Sequence, residues 1–116
     1  MKKIIIFTFY FFLFLGMTRA QEVNPKFEKQ NKLTKATYFY DNGTIREIGF
    51  FKNDKLHDKW ISYDEKGTVT AVAYYKNGKK DGKWYVVVND SVKELTYKSN
   101  KLLNVKNSKE PDLSFI

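Results

Sequence analysis

A single histidine, His57, and a complete lack of cysteine remove most side-chain chemistry from this 116-residue chain at the outset. A thiolate nucleophile, a disulfide framework and a Cys-ligated metal site are all excluded. General-base work by His57 would also need a positioned nucleophile and an orienting group, and no such spacing surrounds it, so it reads as a loop residue. Asp41, Asp64 and Asp90 recur at the starts of turns. A calcium site would need about six or more oxygens in a dense loop, whereas turn aspartates need only local backbone N–H groups, and the turn reading is the one the spacing supports. Asn42-Gly43 and Asn77-Gly78 are hairpin punctuation and belong to no phosphate-binding loop. The sequons Asn42-Gly43-Thr44 and Asn89-Asp90-Ser91 fall at turns that composition already explains. No catalysis, no metal and no cofactor is expected.

The residues left with something to do are aromatic. Twelve aromatic side chains fall between Tyr38 and Tyr97, separated at short intervals by Asn-Gly, Asp, Gly and Lys breaks. Short strands joined by tight turns account for that texture. Internal repetition is stronger still. Phe51-Lys52-Asn53-Asp54-Lys55-Leu56-His57-Asp58-Lys59-Trp60 matches Tyr75-Lys76-Asn77-Gly78-Lys79-Lys80-Asp81-Gly82-Lys83-Trp84 at an offset of 24, and a degenerate copy runs from Asn89 to Lys101 without the closing Gly and Trp. Tyr40 to Ile45 resembles Tyr63 to Val69 apart from one inserted residue.

Each unit reads as two strands. Alternation puts Ile48 and Phe50, or Val72 and Tyr74, on one face, with Leu95 and Tyr97 continuing that stripe. Gly49 and Ala73, followed by Phe51 and Tyr75, occupy the other face, where small residues leave room for a ring or a ligand. Connections this short make neighbouring strands antiparallel. The expectation is an all-β fold: a single antiparallel meander of repeated hairpins, about five to seven strands, with units near 38–60, 61–84 and 85–104 inside a repeat domain spanning 36–104.

The flanks differ. Lys2 and Lys3, an apolar run from Ile4 to Met17, and Thr18-Arg19-Ala20 have the order of a secretory signal peptide over 1–20. The run is short of the roughly 20 apolar residues that a membrane-spanning helix requires. Removing this segment leaves 18 basic against 13 acidic residues, so the net charge falls from +8 to +5. The remaining lysines are spread along the chain, and neither a nucleic-acid interface nor a transmembrane segment is expected in the mature chain. Residues 21–35 read as a polar leader and 105–116 as a flexible tail, from which Leu113, Phe115 and Ile116 could dock on an open sheet. The expected location is the periplasm, the outer envelope or the medium, by Sec-type export.

The pattern aromatic-Lys-Asn-Gly-Lys-Lys-Asp-Gly-Lys-Trp, followed by Tyr-Asp-x-Gly, resembles the MORN-type repeat in its bacterial YwqK-family antitoxin-like variant, over roughly residues 38 to 104. Asp54 and Asp58 stand where that pattern has Gly. The resemblance implies stacked hairpins used as a binding or scaffolding surface, with Gly43, Gly67, Gly78 and Gly82 as repeat turn residues. Trp60, Trp84, Phe51, Tyr75, Tyr63 and Tyr85 are the candidate binding residues, although packing alone would also employ the indoles, since a Trp can bury roughly 150–250 Å². Lys52, Lys55, Lys76, Lys79 and Lys98 read as guards against uncontrolled edge pairing. Three functions are compatible with this pattern: an exported, non-catalytic module that binds a protein or envelope component, a carbohydrate or lipid-headgroup binder, and a toxin neutraliser. Self-association through the sheet edges stays open.

Overall fold

The computed structural model describes residues 23–108, so the signal segment and the terminal stretch carrying Leu113, Phe115 and Ile116 lie outside the described residues. The described residues form one antiparallel sheet. Its strands are β1 (Lys26–Gln30), β2 (Leu33–Phe39), β3 (Ile45–Lys52), β4 (Lys55–Leu56), β5 (Asp58–Tyr63), β6 (Val69–Lys76), β7 (Lys79–Lys80), β8 (Gly82–Val88), β9 (Ser91–Lys98) and β10 (Lys101–Ser108). The long strands follow in the order β1-β2-β3-β5-β6-β8-β9-β10, while β4 and β7 pair with β3 and β6.

Ten strands replace the expected five to seven. The stretch read as a leader supplies β1 and the start of β2, and β10 runs into the stretch read as a tail. Both additions are outermost strands with little to bury. β1 exposes four of its five residues and β10 seven of its eight, so neither needs the alternation that marks a half-buried strand.

Turn chemistry repeats with the sequence. Asn53-Asp54, Asn77-Gly78, Asn89-Asp90 and Ser99-Asn100 each place two successive residues at positive φ, the geometry that matches the twist of a two-residue hairpin. Past each of the first two such turns the return strand breaks, between β4 and β5 and between β7 and β8. Register moves from Phe51↔Leu56 to Ile48↔Ile61 in one unit and from Tyr75↔Lys80 to Val72↔Tyr85 in the next. Asp58 at φ 69° and Gly82 at φ 100° carry these breaks. Because Asp occupies the left-handed region at a cost that Gly avoids, Asp58→Gly is expected to stabilise the fold by about 0.5–1 kcal/mol. A raised urea midpoint at unchanged m-value is the measurement; a lowered midpoint would contradict the assignment.

On the far side of the sheet, Tyr40 N donates to Thr44 O (2.8 Å) and Gly43 N to Tyr40 O (2.9 Å), while Asp64 N donates to Thr68 O (2.8 Å) and Gly67 N to Asp64 O (3.0 Å). The two loops thus correspond at the constant offset of 24, and the inserted residue of the sequence alignment is not needed. Asp64 Oδ1 accepts from Lys66 N and Thr68 N, and Asn42 Oδ1 accepts from Thr44 N, which is the local turn role expected of such side chains.

Register sorts the side chains onto two faces. One carries Ala36, Tyr38, Gly49, Phe51, Trp60, Ala73, Tyr75 and Trp84; the other carries Thr37, Ile48, Phe50, Ile61, Val72, Tyr74 and Tyr85. Leu95 pairs with Trp84 and Tyr97 with Gly82, so these two belong to the tryptophan face and not to the Val72–Tyr74 stripe assigned to them. The third unit is shorter by two residues in its loop, and Glu94 and Thr96 take the positions expected for Leu95 and Tyr97; in a strand, a one-residue shift exchanges the faces. Burial is thin on both sides. Val72 is 1% exposed and Ile61 3%, with Ala36 and Ala73 also buried. Glu94 is buried too, its Oε2 lying 3.4 Å from Lys106 Nζ across β9 and β10.

Candidate functional site

The tryptophan face holds two ring clusters. In the first, the indole of Trp60 lies over the backbone of Gly49, where a side chain would collide with Cε3 and Cζ3. Ring centroids of Trp60 are 5.9 Å from Tyr38 and 5.8 Å from Phe51, and Tyr38 stands 6.3 Å from Phe27. Trp60 Nε1 donates to Glu47 Oε1 at 2.8 Å. In the second, Trp84 packs 5.3 Å from Tyr75 and 4.9 Å from Tyr97, donates its Nε1–H to Tyr74 O at 2.9 Å, and lies under the Lys80 ammonium at 5.3 Å. Lys80 Nζ is also 5.2 Å from the Tyr97 ring. Such contacts add on the order of 0.5–1.5 kcal/mol for each ring pair beyond area burial.

Of the six residues proposed from sequence, Trp60, Phe51, Trp84 and Tyr75 share this face. Tyr85 does not: it pairs with Val72 and Glu94 on the second face. At Tyr63 a register shift after Ser62 interrupts the alternation, and Tyr63 pairs with Val69 at the end of β5. Tyr63 contributes its carbonyl, which accepts from Tyr40 Oη at 2.6 Å and ties neighbouring units together. Adjacent aromatics in the sequence, such as Trp84-Tyr85, necessarily point to opposite sides of a strand. Phe27, Tyr38, Tyr97 and Lys80 join the site without having been singled out. Tyr38 and Tyr97 were legible as aromatic strand positions, but Phe27 was masked by its polar neighbours.

His57 has a structural task. Its Nδ1 accepts from Asn77 N at 3.2 Å, and its repeat equivalent Asp81 accepts from Ser99 N at 3.3 Å. Each therefore fastens its connection to the turn of the next unit, supported by Gly78 N donating to Leu56 O (2.7 Å) and Asn100 N to Lys80 O (2.9 Å). Among the described residues no group of three or more His, Asp or Glu side chains gathers to hold a metal, and no helix is long and apolar enough to cross a membrane. Gly43, Gly67 and Gly78 lie at positive φ between strands, and Gly82 at positive φ as the first residue of β8.

Comparison with known proteins returns no matching family model, no matching curated protein and no matching solved structure.

Burial raises the phenol pKa of Tyr63, and of Tyr74 and Tyr75 as well, where the charges of Asp58 and Glu47 respectively add to it. A group whose pKa is raised on folding contributes stability that is complete below its unfolded value, about 10 for tyrosine, and loses it as pH rises through the folded value. The fold should therefore weaken above about pH 10. Tyrosinate absorbance should show a late-titrating fraction, reduced in Tyr74→Phe plus Tyr75→Phe; a titration indistinguishable from that of unfolded chain would refute it.

Proposed function

We propose that this chain is a non-catalytic, MORN-type repeat module, exported from the cell, that binds a protein or envelope component on its tryptophan face. The observation that supports this reading most directly is the shared face of Phe27, Tyr38, Trp60, Phe51, Tyr75, Trp84 and Tyr97, with Trp60 and Trp84 only half-buried and Phe27 59% exposed. A monomer that leaves a row of rings in contact with water carries a surface suited to association. Both indole N–H groups already donate within the chain. What the indoles offer outward is flat apolar area with no N–H left to donate to a ligand.

The test uses the processed chain recovered from its own cells. Its N-terminus should be Gln21; a terminus retaining Met1 would overturn export. Immobilised wild type should retain a specific envelope component that Phe27→Ser plus Phe51→Ser releases at unchanged secondary structure. Equal retention by both, or none by either, would overturn the assignment of the face.

A further inference from the structure

The hairpin ends carry an arrangement that folding does not ask for. Lys52 stands directly opposite Lys55, Lys76 opposite Lys79, and Lys98 opposite Lys101. Opposed residues of an antiparallel pair share a face with Cβ atoms roughly 4.5–5.5 Å apart, and like charges there are destabilising. Three successive hairpins repeat this, and among the described residues none of the six lysines has an acidic ion-pair partner. Guarding the two outer edges does not account for all of it. The outermost strands are β1 and β10, yet Lys52, Lys76 and Lys98 sit on β3, β6 and β9 inside the sheet, with Lys55 and Lys79 on the short strands β4 and β7 that pair with β3 and β6 alone.

By alternation these pairs lie on the face of Phe50, Tyr74 and Thr96, away from the tryptophans. Lys59 and Lys83 follow one step inward, opposite Tyr74 and Thr96. Lys52, Lys76, Lys83 and Tyr74 border an open trough of about 970 Å³ that Asp58, Asp81 and Gln30 to Leu33 also line, while Lys55, Lys79, Lys98 and Lys101 stand outside it. Asp54, Asp58 and Asp81 are the acids at this end, and Asp81 is engaged by Ser99 N.

We propose that this lysine-paired end of the sheet docks an extended acidic peptide segment of a partner protein, with one acidic side chain at each lysine pair. Successive pairs are two strands apart, about 9.5 Å at the usual strand spacing. A polyproline-II chain rises about 3.1 Å per residue with three residues per turn, so every third side chain returns to the same side after about 9.3 Å. Acids at i, i+3 and i+6 therefore meet the three pairs in register. The lysine pairs lie on the face opposite the tryptophans, so the two proposals fail independently.

The probe is a fluorescein-labelled peptide of Glu-Pro-Pro triplets, compared by anisotropy at low salt with a peptide of the same composition whose glutamates are contiguous. The triplet peptide should bind more tightly, weaken as salt is added, and lose about tenfold in affinity with Lys76→Gln plus Lys79→Gln. Lys29→Gln plus Lys93→Gln, an equal charge change on the tryptophan face, should leave binding unchanged. The melting temperature of the Lys76/Lys79 variant should stay level or rise, because a like-charge opposition has been relieved. No binding, equal loss in the control variant, equal affinity for both peptides, or a fall in melting temperature would each overturn the proposal. Tighter binding of a heparin fragment or an oligothymidylate strand would overturn the peptide assignment in favour of that polyanion.

Discussion

Gly49→Ala is expected to destabilise the sheet by about 1–3 kcal/mol, the range for inserting a methyl group into a filled site. The added Cβ would collide with Cε3, Cζ3 and Cδ2 of Trp60, whose indole rests on the glycine backbone. The second unit shows where the displaced ring can go. Ala73 is the repeat equivalent of Gly49, Ala71 that of Glu47, and there Trp84 bonds to the carbonyl of Tyr74 and not to a carboxylate. Gly49→Ala should therefore push Trp60 into the Trp84 arrangement, with Nε1 toward Phe50 O and Glu47 left with Arg46, 3.3 Å away. The cost is then coupled to Glu47. In an Glu47→Ala background the same glycine substitution should cost less, with an interaction energy of at least about 0.5 kcal/mol by double-mutant cycle in urea. Additive penalties, or a neutral Gly49→Ala, would show that the close approach is not what seats the indole.

The glycine and tryptophan that meet here illustrate what was readable. Gly49 and Trp60 were both marked by the 24-residue repeat, and the small residue opposite a ring was expected to make room for one. The hairpin turns were equally plain, because Asn-Gly, and Asp in its place, are the side chains that tolerate positive φ. Asp54 and Asp58, the two departures from the repeat pattern, adopt φ of 63° and 69° and keep its geometry. What sequence did not disclose depended on counting by twos. Leu95 and Tyr97 were aligned one residue out of step with Val72 and Tyr74, which in a strand is the opposite face, and Tyr85 was grouped with rings that point the other way. β1 stayed hidden because an outer strand with water on both sides has no reason to alternate. The lysine pairs escaped for a related reason: spread evenly along the chain, they converge only when the hairpins stack.

Trp84→Ala should cost about 3 kcal/mol, the low end for deleting a large aromatic side chain, since the indole is half-buried. Its loss removes the ring between Tyr75 on β6 and Tyr97 on β9, takes the platform from under Lys80, and leaves the Tyr74 carbonyl with Asp81 N alone of its two donors. Marginal stability makes that a large fraction of the whole, about 4–13 kcal/mol for a described region of this size. Stacked units are coupled chiefly to their neighbours, so the effect should not spread evenly. Of β9 and β10 only Glu94 is buried, and this hairpin joins the rest through the stacking of Tyr97 on Trp84, with Lys80 over both rings. Hydrogen exchange should therefore show β9 and β10 amides opening well before those of β2 to β6 in the Trp84→Ala protein, whereas Trp84→Phe keeps most of their protection. Uniform loss of protection across the sheet would mean that the units melt as one body. Retained protection in β9 and β10 would mean that the backbone ladder between Gly82–Val88 and Ser91–Lys98, and not the indole, holds the last hairpin in place.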